Sequence, residues 1–431
     1  MRKILLTTVI LLLSAGLTAQ SLQDIIGQNI RCSAGSDMAY PGSTQLHLSP
    51  APEGYKPFYI SHFGRHGSCY LEYPESYDIP YRILEIADSL GKLTSLGHDV
   101  LLRLDRIRHD AYERWGELSE LGAHQQQQIM RRMVNRFPEV FVDGATIDAR
   151  STTRTLSILS MEYAMAQLVM MRPKVKIHHN ATQRDMSYLN HHDKHLLDRQ
   201  SDSTMLAAFA AFAQKCRSNS RLTDELFNDD AYVSSHVDAD KLNDYLFRVA
   251  SNIQNTELRK RLTLYDIFSD EDVCCNWEKQ NARTYCTYGS YPHTAAPPYS
   301  RTQCQLLRKM IVQADSCIRL QKPGAHLRYG FEQVLLPLIC LLDINGSGMV
   351  ISDFDAVDRK GWADFKLCPM SANIQFIFYA SPSRRADDIL VKVLLNEVEV
   401  KLPVRSMLLP YYHWRDVRDY YLQKVKVNSE K

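Results

Sequence analysis

Phe58-Tyr59-Ile60-Ser61-His62-Phe63-Gly64-Arg65-His66-Gly67-Ser68 decides how this chain is read. Its first six residues favour a strand, and Gly64 closes the run. A strand that empties into a glycine-flanked Arg-His pair sets both side chains in a loop at the carboxyl edge of a sheet. Open α/β sheets bind ligands at that edge. An arginine beside a histidine suits phosphoryl transfer: a neutral imidazole nitrogen attacks phosphorus, while a guanidinium grips phosphate oxygens with a fork of donors. By itself Arg65-His66-Gly67 is better read as a surface loop with a solvated histidine.

A second strand-to-helix junction supplies more cations. Ala149-Arg150-Ser151-Thr152-Thr153-Arg154-Thr155 follows the short strand Thr146–Ala149 and precedes a helical stretch from Leu156 to Met170. Arginines four apart at a helix start can address one anion, with free backbone N–H groups as further donors. Two exposed arginines, one of them ion-paired, is the competing reading.

Further outward, Ser119 caps a helix running to about Phe137, and Lys174 to His178 alternates as a strand. Between about 200 and 321 helical patterns dominate, and Ser269 with Asp272 forms a capping-box signature. Strand patterns return at 325–329, 373–380 and 389–395, and Asn396-Glu397 between valine-rich runs predicts a hairpin. Strands, then helices, then strands again predict an α/β fold with an interrupted sheet. The α/β part covers 20–180 and 322–431, a mainly helical insertion covers 181–321, and a leader covers 1–19.

That leader has a basic start, Met1-Arg2-Lys3, an apolar run from Ile4 to Leu17, and a small-residue exit at Ala19-Gln20. This is the pattern of a secretory signal peptide, and the apolar run is short for a bilayer span. The expected protein is exported, to the periplasm or beyond the cell, with no membrane span after cleavage. Composition is ordinary for a globular chain, and a net charge of +2 argues against nucleic-acid binding through bulk charge. Any anion site is therefore local. All ten cysteines follow the leader, and an oxidising compartment would let some of them pair.

Taken together, Arg65-His66-Gly67 and Ser151-Thr152-Thr153-Arg154-Thr155 resemble the histidine acid phosphatases. Gly116-Glu117-Leu118-Ser119-Glu120-Leu121-Gly122 matches that family's Gly-x-Leu-Thr-x-x-Gly. Leu264–Phe268, Pro369-Met370-Ser371-Ala372-Asn373 and Val391–Glu397 resemble its multiple inositol polyphosphate phosphatase branch. The resemblance runs from about residue 55 to 421. It implies a central mixed sheet flanked by helices, with a helical insertion. It also implies phosphomonoester hydrolysis through a phosphohistidine, with no metal or cofactor, on a phosphorylated small molecule such as an inositol polyphosphate. Residue by residue, His66 falls on the nucleophile, Arg65 and Arg154 on phosphate-binding arginines, and Arg150 beside the latter.

The chain departs from the pattern at two donors. The second arginine of the first motif is replaced by Cys69, and the late histidine by Phe331, in Gly330-Phe331-Glu332-Gln333. In one register Glu332 occupies the place of the proton donor; in the other that place falls to Gln333, which has no proton to give. Slow or absent turnover is a live expectation, and a catalytically inactive relative that binds phosphorylated ligands or a partner protein is the alternative function. A surface protein that keeps only the fold is a third. Cys69 is no replacement nucleophile of the cysteine-phosphatase kind, since the arginine such enzymes need about six residues on is Glu75. His191 and His195 share a helical spacing used in metal sites, but without the accompanying glutamate of the zinc-protease helix a structural reading is preferred.

Overall fold

A computed structural model describes residues 20–189, 203–215, 221–292, 298–320, 322–383, 385 and 388–426. The leader and the His191–His195 cluster lie outside the described residues.

Eight strands form one mixed sheet: β1 (Lys56–Arg65), β2 (Thr146–Ser151), β3 (Lys176–Asn180), β4 (Gly324–Gly330), β5 (Asn373–Ala380), β6 (Ile389–Leu395), β7 (Val398–Glu399) and β8 (Tyr411–His413). Their order is β3-β2-β4-β1-β5-β6-β7, with β8 paired to β6. The β3-β2-β4-β1 half is parallel, and β5 and β6 continue it antiparallel. This is the mixed α/β sheet the sequence predicts. β1 runs through its centre, and its last seven residues are all buried. Covered on both faces, it buries even its polar members, and Arg328 meets two of them by donating to the Ser61 hydroxyl and the His62 carbonyl at 3.1 Å each.

The period of two still sorts its side chains. Tyr59 and Phe63 enter one core, with Ile374, Phe376 and Val391, under the helix Glu332–Leu342. Ile60 enters the other, with Ile147, Leu327 and Ile377, under the helices Glu120–Arg136 and Thr155–Met171. The predicted hairpin is present: Asn396 and Glu397 both have positive φ, 51° and 66°, and Leu395 pairs with Val398. Two successive left-handed residues match the twist of the flanking strands. Ser119 caps its helix by accepting from the Gly122 N–H, and Ser269 with Asp272 closes a capping box.

Two boundaries differ from the sequence reading. β3 begins at Lys176 rather than Lys174, because residues 173–175 form the turn whose Lys174 carbonyl accepts from the Gly144 N–H. The described elements from 181 to 320 are all helical. Their core, however, also draws on the helices Glu75–Ser89 and Ser95–Ala111, with Leu84 and Leu104 packing in the same cluster as Leu246 and Trp277. The helical layer is thus wider than the insertion.

Candidate active site

β1 and β4 run side by side with Arg65 opposite Gly330, so their carboxyl ends deliver residues 66–69 and 331–333 to one place. The loop after β1 is held by backbone hydrogen bonds on two sides. The His66 N–H donates to the Gly330 carbonyl (3.0 Å), the Arg65 N–H to Ala372 (2.7 Å), and the Ser371 N–H to the His66 carbonyl (2.8 Å). Ser371 reaches that carbonyl from a left-handed conformation, φ 58°. Below, the loop rests on the start of Glu120–Arg136. A Cβ on Gly67 would lie 2.5–2.7 Å from the Gly122 backbone, and one on Gly122 would lie 2.2 Å from the Ser68 carbonyl oxygen. Both glycines are therefore required by backbone contact. Residues 116–119 run antiparallel beside 68–71, with the Ser119 N–H on the Ser68 carbonyl and the Gly116 N–H on the Leu71 carbonyl. The segments that carry the sequence resemblance are the ones that brace this loop.

His66 is 6% exposed, and its Nδ1 lies 2.9 Å from the Gly67 carbonyl oxygen. A carbonyl only accepts, so Nδ1 carries the proton and Nε2 keeps its lone pair. Burial, and then the Arg65 charge, push the imidazole down to about 3, against which the Gly67 hydrogen bond works only partly. A neutral ring of fixed tautomer is what nucleophilic attack needs.

Arg65 is nearly buried and heavily engaged. Its Nη1 donates to the Ser36 and Cys368 carbonyls at 2.5 and 2.8 Å. Its Nη2 lies 3.4 Å from Asp37 Oδ1 and 3.4 Å from Glu332 Oε2, and among the described residues its Nε has no partner. Burial opposes its charge, but Glu332 and Asp37 more than offset that and raise its pKa.

Glu332 is the first residue of its helix, with a side chain 17% exposed, facing Arg65. Burial raises its pKa, and the Arg65 charge only partly opposes this. It holds a proton to higher pH than an ordinary carboxyl, as a proton donor must. Gln333 borders the same cleft. Phe331 turns its ring edge-on to His66, centroids 5.3 Å apart at 64°. Cys69 carries a free thiol, 8% exposed, which burial pushes up to about 12. The thiol stays protonated and offers neither the charge nor the fork of an arginine.

These groups line a cleft of about 720 Å³. Arg154 lines it too, at the rim: its side chain is 65% exposed and its Nη2 lies 2.6 Å from Glu72 Oε1. Arg150, expected beside it, does not line this cleft. Its guanidinium is paired bidentately with Asp148 at 2.7 and 2.9 Å, because residues two apart on β2 share one face of the sheet. The structure thus brings Arg65, His66, Glu332 and Arg154 together and leaves Arg150 out.

Other lining residues were not singled out in the sequence. Asp37 comes from the segment preceding β1, Trp115 from the turn before Glu120–Arg136, and Arg248 and Asn252 from the helix Ala239–Ile253. Asn252 Nδ2 donates to the Cys69 carbonyl (3.0 Å). Asn255 accepts from the Ser68 hydroxyl (2.7 Å) and donates to the Asp37 carbonyl (2.8 Å). No local motif marks these residues, since they reach the cleft only through tertiary packing. Among the described residues no group of His, Cys, Asp and Glu side chains is arranged to hold a metal ion, and no helix is long and apolar enough to cross a membrane.

No protein-family model and no curated protein sequence matches this chain. Solved structures do. The Bifidobacterium longum multiple inositol polyphosphate phosphatase, in complex with inositol hexasulfate, has a TM-score of 0.76 at 17% identity, over 90% of this chain and 97% of that one. Its complex with phosphate gives 0.75 over the same shares. The phytase from D. castellii gives 0.63 at 13% identity, over 92% and 85%. The chain therefore has the fold of the histidine acid phosphatases.

Proposed function

We propose that this chain is an exported phosphomonoesterase that works through a phosphohistidine on His66. The observation that carries the reading is the imidazole itself: buried, neutral, fixed by Gly67, and set beside Arg65 and Glu332 in an open cleft. In the first step Nε2 attacks phosphorus and the ester P–O bond breaks. The carboxyl proton of Glu332 goes to the leaving alkoxide, which departs as an alcohol. Water then attacks the phosphohistidine, Glu332 takes up its proton, and the P–N bond breaks to release phosphate. Arg65 and Arg154 hold the phosphoryl oxygens, and the cycle calls for no cofactor. The inositol hexasulfate and phosphate named for the Bifidobacterium longum phosphatase make inositol phosphates the first substrates to test. Export rests on the leader at 1–19, and mass spectrometry of the released protein should find its first residue near Gln20. An intact Met1 start there would remove export from the reading.

A second reading has its own observation. Phe331 fills the donor position with an aromatic edge, and Arg65 is already met by two carboxylates and two carbonyls. A cleft so arranged can bind a phosphate ester without turning it over. Phosphate release from phytate and p-nitrophenyl phosphate, measured from acid to neutral pH with a His66→Ala control, separates the two. Release lost in the control supports the esterase. Saturable phosphate-ester binding without release supports the binder.

A further inference from the structure

The charges of the cleft nearly balance. Arg65, Arg154 and Arg248 supply three guanidiniums, against the acidic side chains of Asp37, Glu72 and Glu332, the last of which carries its proton when it acts as donor. Two of the cations are committed. Arg65 faces Asp37 and Glu332 at 3.4 Å each, and Arg154 is paired with Glu72 at 2.6 Å. Arg248 is exposed, and among the described residues no carboxylate lies within ion-pair distance of it. The cleft therefore offers a single uncommitted cation, a surplus too small for a ligand that carries several phosphates. A second or third phosphate would lie against Asp37 or Glu72 with no cation left to offset it.

What the cleft has in place of charge is ring surface. Tyr73 is 57% exposed and Trp115 41%, both on the cleft lining. Trp115 is braced edge-on by Tyr112, centroids 6.0 Å apart, which limits its freedom to swing away. Phe331, also on the lining, presents its ring beside His66. Aromatic faces bind flat, weakly polar surfaces, such as an aryl ring or the C–H face of a sugar, and they lose little conformational entropy in doing so.

From these two observations we infer that the cleft takes a singly phosphorylated compound with a flat organic part: the phosphate lies on Arg65 and Arg154, with Arg248 as the added, uncommitted cation, and the ring lies against Trp115 and Tyr73. This rests on the reading of the cleft as a phosphate-ester site, and it narrows the ligand away from densely phosphorylated polyols. Trp115 selects the ring, and Arg248 anchors the phosphate.

The test is calorimetric binding to the full exported chain at 0.15 M salt, with three probes: phenylphosphonate, which cannot be hydrolysed, phytate and inorganic phosphate. Phenylphosphonate should bind at least about tenfold more tightly than either of the others. Trp115→Ala should weaken phenylphosphonate about tenfold and leave inorganic phosphate unchanged, whereas Arg248→Gln should weaken both alike. Both residues are solvent-exposed, so the variants should fold, and circular dichroism checks that. Phytate as the tightest probe, no preference for phenylphosphonate over phosphate, or no binding at all, overturns the inference. Release of phosphate from p-nitrophenyl phosphate reports on the esterase separately. Release together with tightest phytate binding keeps the esterase and removes the inference. No release together with tight phenylphosphonate binding does the reverse.

Discussion

The ends of β1 and β4 are neighbours in register, yet they have fared differently. The β1 end still carries Arg65 and His66, tied by backbone bonds to β4 and to residues 371–372. The β4 end opens a helix beside it, where Phe331 turns a ring edge to His66 and the Glu332 carboxyl faces Arg65. The backbone that presents chemistry and the side chains that perform it are separable. The first is fixed by glycine contacts and main-chain hydrogen bonds that no side-chain exchange at 69 or 331 disturbs. The second depends on single residues.

Removing the intact end should have the largest effect. His66→Ala should cut phosphate release by about 10³-fold or more, to the level of a buffer blank, because catalytic groups acting as a unit fail together. Its thermal midpoint should stay close to the wild type. Undiminished release would mean that the β1 end is not the nucleophile.

Restoring the altered end comes next. Cys69→Arg with Phe331→His should raise kcat/KM by about 10²–10³-fold, the usual worth of one preorganised donor, with the two changes coupled rather than additive. Cys69 borders the open cleft, so the longer side chain has room to project into it. A double variant that folds and binds phosphate without any gain would shift attention to Gln333, and Gln333→Glu would then be the decisive variant.

The pH profile sharpens the same contrast. His66, held down to about 3, stays neutral through most of the acid range. Glu332, raised by burial, must keep its proton to act. Activity should therefore be flat in acid and fall as pH rises through the raised carboxyl pKa. Glu332→Gln should lose about 10²-fold in kcat and lose that alkaline fall as well. A profile that keeps the fall in this variant would assign it to another group.

The smallest effect is on stability. Asp364 is fully buried, and burial, reinforced by Glu332, pushes its carboxyl up to about 7. A carboxyl raised on folding stabilises most below its unfolded pKa and loses that contribution as pH rises through the folded value. Between the ordinary carboxyl range and about pH 7, unfolding free energy should fall by up to about 1.4 kcal/mol per pH unit from this group. Denaturant melts at stepped pH should show that slope, and Asp364→Asn should flatten it.

Much of this was legible in the sequence, for identifiable reasons. β1 announced itself because residues 58–63 are rich in strand-forming aromatic and β-branched types, and Ser119, Ser269 and Asn396-Glu397 announced caps and a turn because those conformations restrict residue type. His66, Arg65 and Glu332 were legible as strand-end neighbours. Arg150 was not, because spacing along a chain does not say which of two arginines a nearby Asp148 will capture. Asp37, Trp115, Arg248 and Asn252 were illegible for a different reason. They reach the cleft from separate elements, and only the packing of the helical layer on the sheet brings them there.

Asn255 carries that packing to a kinetic conclusion. It is fully buried, and it holds the Ser68 hydroxyl of the loop after β1 with one end of its amide and the Asp37 carbonyl with the other. The turn after the helix Ala239–Ile253, held in this way at Ser68 and Asp37, cannot swing outward without breaking both hydrogen bonds at once. The mouth is therefore a standing slot rather than a closing jaw. Ligand entry and departure should follow simple one-step relaxation, with rates set by diffusion and by the contacts made, and no slow isomerisation should precede or trail either event.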